Sequence, residues 1–279
     1  MMPAVEARLL VTTDPAVIFE RFLEECAAVG VANTQVIRRI ALQTIGHLRG
    51  TAADRGRTEA EQILQNRWYH SLQQGKPDWT VYQTDYYLAE MWACWIVYSR
   101  KYLNALYSAR SLPPHGLLRD FGPVRRVADL GCGIGFTSAS LKQMFPQASV
   151  TATNLGGTAQ TAVAKRLGKR FGFEIVEEVC DISAPVDLVF ASEYFEHIPN
   201  PVEHLDVVLR TLRPRCLLIA NSFGTRAIGH FETYDVNGRQ WDGKMTSKLF
   251  NQWLRSKAYR KVPTKMWNQR PAYWKALTA

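Results

Sequence analysis

Two short segments hold the residue types on which chemistry would depend. In the first, Asp129-Leu130-Gly131-Cys132-Gly133-Ile134-Gly135, three glycines alternate directly behind an apolar run that begins at Val127. Glycine lets the chain turn tightly and lets a ligand approach the main chain, because no β-carbon intervenes. The start of a helix beyond such a turn favours electronegative groups. Spacing alone does not choose the ligand: dinucleotide folds use a related turn, but with G-x-G-x-x-G, and here Phe136 and Thr137 follow. The second segment, Ser192-Glu193-Tyr194-Phe195-Glu196-His197-Ile198-Pro199-Asn200-Pro201, places two carboxyl groups and an imidazole behind another apolar run. His197 has the side chain best suited to take a proton near neutrality, with Glu196 beside it as the second candidate catalytic group. The alternative is that both merely pin the loop.

The elements that must position these segments change character along the chain. Up to about residue 110 the pattern is helical. Asp14-Pro15 is a cap and first-turn pair ahead of Ile18, Phe22 and Cys26. A second helix is predicted from Asn33 to near Gly50, and a third follows the Thr58-Glu-Ala-Glu61 capping box and ends at Gly75 and Pro77. A fourth, rich in aromatics, should run over 85–110 until Pro113-Pro114 stops it. From about Arg125 short apolar runs alternate with helical ones. Strands are predicted over 127–130, 149–154, 174–179, 186–191 and 217–221, with helices between them up to 144 and over 158–170 and 200–212. That alternation means a parallel α/β sheet with helices on both faces. A last helix over 246–257 precedes two β-like runs, 259–262 and 272–277, which could pair as a closing hairpin at the sheet edge.

The Asp-Leu-Gly-Cys-Gly-Ile-Gly string resembles the first motif of class I S-adenosylmethionine-dependent methyltransferases, and the resemblance spans about 125–221. It implies a Rossmann-like sheet, mostly parallel with an antiparallel last pair, and S-adenosylmethionine as cofactor. It implies that Asp129, Gly131, Cys132, Gly133 and Gly135 wrap the methionine part, and that Asn154 and Leu155 meet the ribose. Members of the family usually carry an acid at position 154, so a charge-assisted bond is replaced by an amide one. Asp181 and Ile182 fall where the family contacts adenine. The segment from Ser192 resembles the S-E-x-x-E-H-x-x-D-P stretch of small-molecule methyltransferases, placing Glu193 with the cofactor and Glu196 and His197 near the acceptor. On this reading 121–279 is the cofactor-binding core and 1–120 a helical lid or substrate region.

The acceptor is less determined. The segment lacks the D/N-P-P-Y clamp and the Pro-Cys nucleophile of base-methylating enzymes, so direct transfer to an O, N or C nucleophile is the expectation. A small or anionic acceptor could lie under Tyr82, Tyr86, Tyr87 and Trp92; that aromatic stripe could equally be core or the seam of a homodimer. The other reading is nucleic acid. Residues 209–279 hold 14 Lys and Arg against 3 Asp and Glu, within a chain of net charge +9. Phe231, Tyr234, Trp241, Trp253, Tyr259, Trp267, Tyr273 and Trp274 interleave with those cations, a composition suited to phosphate contact and base stacking. In its sharpest form Glu193, Glu196, His197 and His230 would hold a divalent ion for 2′-O-methylation of RNA. A third reading is a cofactor-binding subunit without catalysis.

Five scattered cysteines without a C-x-x-C pair argue for a reducing compartment and against a disulfide framework. No secretory pattern opens the chain, and its most apolar stretch, 86–98, is too short to span a bilayer. A cytoplasmic location and no membrane partner are the expectation.

Overall fold

The computed structural model describes residues 9–49, 59–108, 116–266 and 270–277. In chain order the helices α1 (Pro15–Ala28), α2 (Thr34–Arg49), α3 (Glu59–Gln73), α4 (Asp85–Cys94) and α5 (Arg100–Tyr107) come first. There follow α6 (Leu117–Asp120), β1 (Arg126–Leu130), α7 (Phe136–Met144), β2 (Ser149–Thr153), α8 (Ala159–Phe171), β3 (Glu174–Val176), β4 (Leu188–Ser192) and α9 (Pro201–Leu212). The chain ends with β5 (Cys216–Ala220), β6 (Thr233–Val236), β7 (Arg239–Asp242), α10 (Gly243–Ser256), β8 (Tyr259–Val262) and β9 (Ala272–Ala276). Two compact units emerge, and they interleave along the chain. One takes the chain up to Asn104 with Cys132–Pro146 and Leu155–Ile175; the other takes Ala105–Gly131, Gln147–Asn154 and Val176–Ala279. Compactness thus groups the first helices with α7 and α8, whereas the boundary expected at 120 follows chain order.

The helical unit is built from caps and an aromatic core. Asp14 accepts from Ala16 N at 2.9 Å to start α1, and Thr84 Oγ1 accepts from Tyr87 N at 3.2 Å to start α4. The single long helix expected over 85–110 is instead α4, a π-helical turn at Trp95–Ser99, and α5. The Pro113-Pro114 stop and Thr58 of the capping box lie outside the described residues. Trp92 stacks on Phe19 and Phe22 at 4.9 and 5.1 Å and meets Phe136 of α7 edge-on at 5.5 Å. Tyr82, Tyr87 and Trp92 are therefore buried, and of that stripe only Tyr86 is exposed, at 39%. The stripe is core, which removes the basis for a lid or a dimer seam there. Buried Glu25 ties α1 to Arg166 of α8 at 2.5 Å.

The other unit is the sheet, in the order β3-β2-β1-β4-β5-β9-β8. β1 pairs in parallel with β2 and β4, and β4 with β5, while β9 runs antiparallel between β5 and β8. β4 and β5 are almost wholly buried, which is why they read as continuous apolar runs rather than alternating ones. The closing hairpin was expected and is present. One element was not anticipated: β6 and β7 pair through Asn237-Gly238, both at positive φ (54° and 74°), the backbone that a two-residue turn of right-twisted strands demands. The third strand ends at Val176, short of the expected 179, because Val179–Asp181 turns as a 3-10 helix. Parallel pairing brings the carboxyl ends of β1, β2, β4 and β5 to one edge of the sheet, the edge at which open α/β sheets place ligands.

Candidate functional site at the carboxyl edge of the sheet

The glycine turn leaves β1 at Gly131, whose N donates to Thr153 Oγ1 at the end of β2 (3.0 Å). Gly131, Gly133 and Gly135 all have positive φ, at 69°, 55° and 86°. They are glycines for different reasons. A β-carbon on Gly131 would lie 2.5 Å from Cδ2 of Tyr194, so that ring already fills the space over the turn. A β-carbon on Gly133 would meet nothing nearer than Met91 Sδ at 3.5 Å, leaving open main chain in the middle of the turn. That is the cradle a ligand needs.

The segment after β4 is set by its own turn. Glu193 has φ 52° and donates its N to Ala220 O at 2.7 Å, so the chain bends sharply as it leaves the sheet. Tyr194 then points back to Gly131, and its hydroxyl shares a 2.8 Å hydrogen bond with His204 Nε2. Phe195 goes down into a cluster with Phe250 at 4.8 Å, next to Phe223 and Tyr234. The unanticipated hairpin anchors this loop: Asp235 N donates to Pro199 O at 2.8 Å and Tyr234 Oη to Glu196 O at 3.1 Å.

Three of the predicted groups meet here with His230. Glu196 is completely buried, and its Oε1 accepts from Ser222 N at 2.6 Å, just past the end of β5. Burial, then the nearby Glu193 carboxylate, hold its carboxyl well above the usual range, which favours its neutral form. The His197 and His230 rings sit edge to face with centroids 4.7 Å apart. His230 donates from Nδ1 to Thr225 O at 2.8 Å, which leaves the lone pair on Nε2. Burial and then the neighbouring His230 hold His197 well below its ordinary value, against a hydrogen bond to Gly229 that acts the other way. Burial also lowers His230, so both imidazoles are neutral near pH 7. Among the described residues no group of three or more His, Cys, Asp or Glu converges in the way a metal ion requires. The set Glu193, Glu196, His197 and His230 therefore gives the metal-assisted reading no support.

The remaining predicted residues fall in both units. Asp129 is buried at the end of β1, and Asn154, 8% exposed, follows β2 with its N donating to Val176 O at 3.1 Å. Asp181 is exposed and Ile182 buried after the 3-10 turn. In the helical unit, Cys132 is buried and Leu155 is 47% exposed. Sequence reasoning missed Tyr194, Thr153, Ser222 and Arg270. Continuing the β5–β9 register past Ile219↔Ala272 sets Arg270 opposite Asn221, and its Nη1 donates to Ser222 Oγ at 3.2 Å.

The basic tail has structural work. Arg260 and Lys261 are exposed on the edge strand β8, where charge discourages pairing with another chain. Tyr234, Tyr273 and Trp274 are at most 1% exposed, and Phe231 and Tyr259 are buried too. These five rings are core and offer no stacking surface, whereas Trp241 and Trp253 are half-buried under Arg239 and Lys257; Trp267 lies outside the described residues. No helix among the described residues is long and apolar enough to cross a membrane.

A family model described as a methyltransferase domain matches residues 128–218. The trans-aconitate 2-methyltransferase of Rhodopseudomonas palustris (strain BisB18) is 34% identical over 93 residues, 32% of this chain and 35% of that protein. The enzyme of the same name from Azoarcus sp. (strain BH72) is 32% identical over 88 residues. The chain thus spans about a third of the length of these curated relatives. A solved structure titled StiE O-MT is 19% identical, covering 51% of this chain and 48% of that one, with a TM-score of 0.37.

Proposed function

We propose that this chain, whose residues 128–218 match a methyltransferase-domain family model, is a class I S-adenosylmethionine-dependent methyltransferase that transfers a methyl group directly to a small-molecule acceptor. The observation that carries the proposal is the glycine turn, held at Gly131 by Thr153 and Tyr194, on the sheet edge that also carries a buried acid–imidazole cluster. The residues fit the cofactor. Main chain of the turn from Asp129 through Gly131, Cys132 and Gly133 to Gly135 would hold its methionine part, and Asn154 and Leu155 its ribose. Asp181 and Ile182 would hold its adenine, with Glu193 at the cofactor side of the cluster. Bound S-adenosylmethionine supplies a methyl group on a positively charged sulfur.

The protein's own part is to orient the acceptor and to manage its proton. His197, neutral and beside His230, takes the proton of an acceptor O–H or N–H as the new bond forms. Glu196 is a positioning residue: buried and tied to Ser222 N, it fixes the loop that carries His197. The likeness to relatives named for trans-aconitate, a small acid, favours a small acceptor over a nucleic acid. Calorimetry tests the first step. The parent should bind S-adenosylmethionine, and Gly133→Val should lose that binding with its circular dichroism spectrum kept. Equal binding by both would remove the proposal.

A further inference from the structure

We infer that Arg270, with the Ser222 hydroxyl, is the receptor for a carboxylate of the acceptor, which makes the acceptor a small carboxylic acid. The inference deepens the methyl-transfer reading and rests on it. Arg270 stands just before β9, whose antiparallel pairing with β5 brings it near the end of β5, where its Nη1 reaches Ser222 Oγ. The residue is half-buried. Other arginines of the chain have carboxylate partners: Arg38 with Glu20, Arg67 with Asp78, Arg166 with Glu25, Arg210 with Asp206 and Arg215 with Asp187. Arg270 has none among the described residues; its one hydrogen bond there is to Ser222 Oγ. A guanidinium presents five N–H donors in a planar fork that matches a carboxylate, so most of its capacity is unspent.

A second observation comes from the other side of Ser222. Its N donates to Glu196 Oε1, so the half-buried guanidinium, the Ser222 hydroxyl and the buried carboxyl are linked through one residue. A guanidinium without a carboxylate partner, held by a hydroxyl next to that cluster, marks a place where an anionic ligand completes the set. Because Ser222 Oγ accepts from Arg270, its own hydrogen is left to donate to the same carboxylate. Burial and the nearby Glu193 raise the Glu196 carboxyl, which favours its neutral form and lessens its repulsion of an anion. An acid with a second functional group would be anchored at Arg270 and present that group to the methyl donor.

The test compares acids with their amides. Parent protein, Arg270→Gln, Arg270→Lys and Ser222→Ala are assayed for methyl transfer to citrate, fumarate and glutarate, to the corresponding amides, and to the neutral fraction of a small-molecule extract. Cofactor affinity is measured alongside. Transfer to an acid but not its amide is expected. Arg270→Gln should raise KM for the acid about 30-fold with kcat little changed, since it removes a charge-assisted pair. Arg270→Lys should recover part of that loss, and Ser222→Ala should raise KM about fivefold. If Arg270→Gln also loses cofactor affinity, Ser222→Ala decides the matter. Equal use of acid and amide, an unchanged KM in the variants, or labelling of the neutral fraction alone overturns the inference and leaves methyl transfer standing. Failure of the parent to bind the cofactor removes both.

Discussion

The Tyr194 ring lies so close over Gly131 that a β-carbon there would come within 2.5 Å of Cδ2. The turn is therefore shaped from within the protein, by a residue of the loop that also carries His197. Gly131→Ala should weaken S-adenosylmethionine binding, and Tyr194→Ala should relieve part of the loss. A double-mutant cycle on cofactor affinity should give a coupling of about 0.5–3 kcal/mol. Part of the cost stays, because an L side chain at φ 69° costs about 1–2 kcal/mol in itself. Strict additivity would mean that the ring does not set the turn.

On the proposed reading Asn154, buried just after β2, meets the ribose hydroxyls. Asn154→Ala removes donor and acceptor together and should weaken cofactor binding by about 1–2 kcal/mol. Asn154→Asp should bind as well as the parent or better, because a carboxylate accepts from both hydroxyls. Much weaker binding by Asn154→Asp in calorimetry would show that the amide faces some other partner.

Acid should unfold this protein through its histidines. Burial leads the lowering of His197, His204 and His230, so the fold keeps all three neutral while the unfolded chain protonates them near pH 6.5. Their contribution is present above the unfolded value and is lost as pH falls through the folded one. Below about pH 6.5 the slope should approach about 1.4 kcal/mol per pH unit for each histidine taking up a proton. His230→Gln should flatten that slope in urea titrations at pH 5–7; an unchanged slope would place the proton uptake elsewhere.

Glu196 gives the opposite sign. Its folded value is raised, so its contribution is complete below the unfolded carboxyl value of about 4.3 and is lost as pH rises toward the folded one. Glu196→Gln keeps an acceptor for Ser222 N and removes the charge. Its melting temperature should match or exceed the parent's at pH 8, and the difference should shrink toward pH 5. A variant that melts well below the parent at pH 8 would show the carboxyl ionised and paired.

The sheet was legible because its strands are short apolar runs punctuated by glycine and proline, and the turn at 131–135 because three glycines mark one backbone path. The β6–β7 hairpin was equally legible and was passed over: Asn237-Gly238 is the strongest two-residue turn signal in the chain. Periodicity could not separate α4 from α5, since a π-helical turn keeps the apolar character of the run while shifting its phase. The aromatic stripe and the basic tail misled for one reason: composition does not say which side of an element faces the core. Arg270 was out of reach, because only the antiparallel register of β9 carries it to Asn221 and Ser222.

Transfer of label tests the central claim most directly. Purified protein is incubated with methyl-labelled S-adenosylmethionine and a cell extract divided into small-molecule, RNA, DNA and protein pools. Methyl transfer to a small acceptor predicts label in the small-molecule pool, abolished by Gly133→Val and strongly reduced by His197→Ala when the acceptor group bears a proton. Label confined to RNA, DNA or protein, or no label in any pool from protein that binds the cofactor, would contradict it.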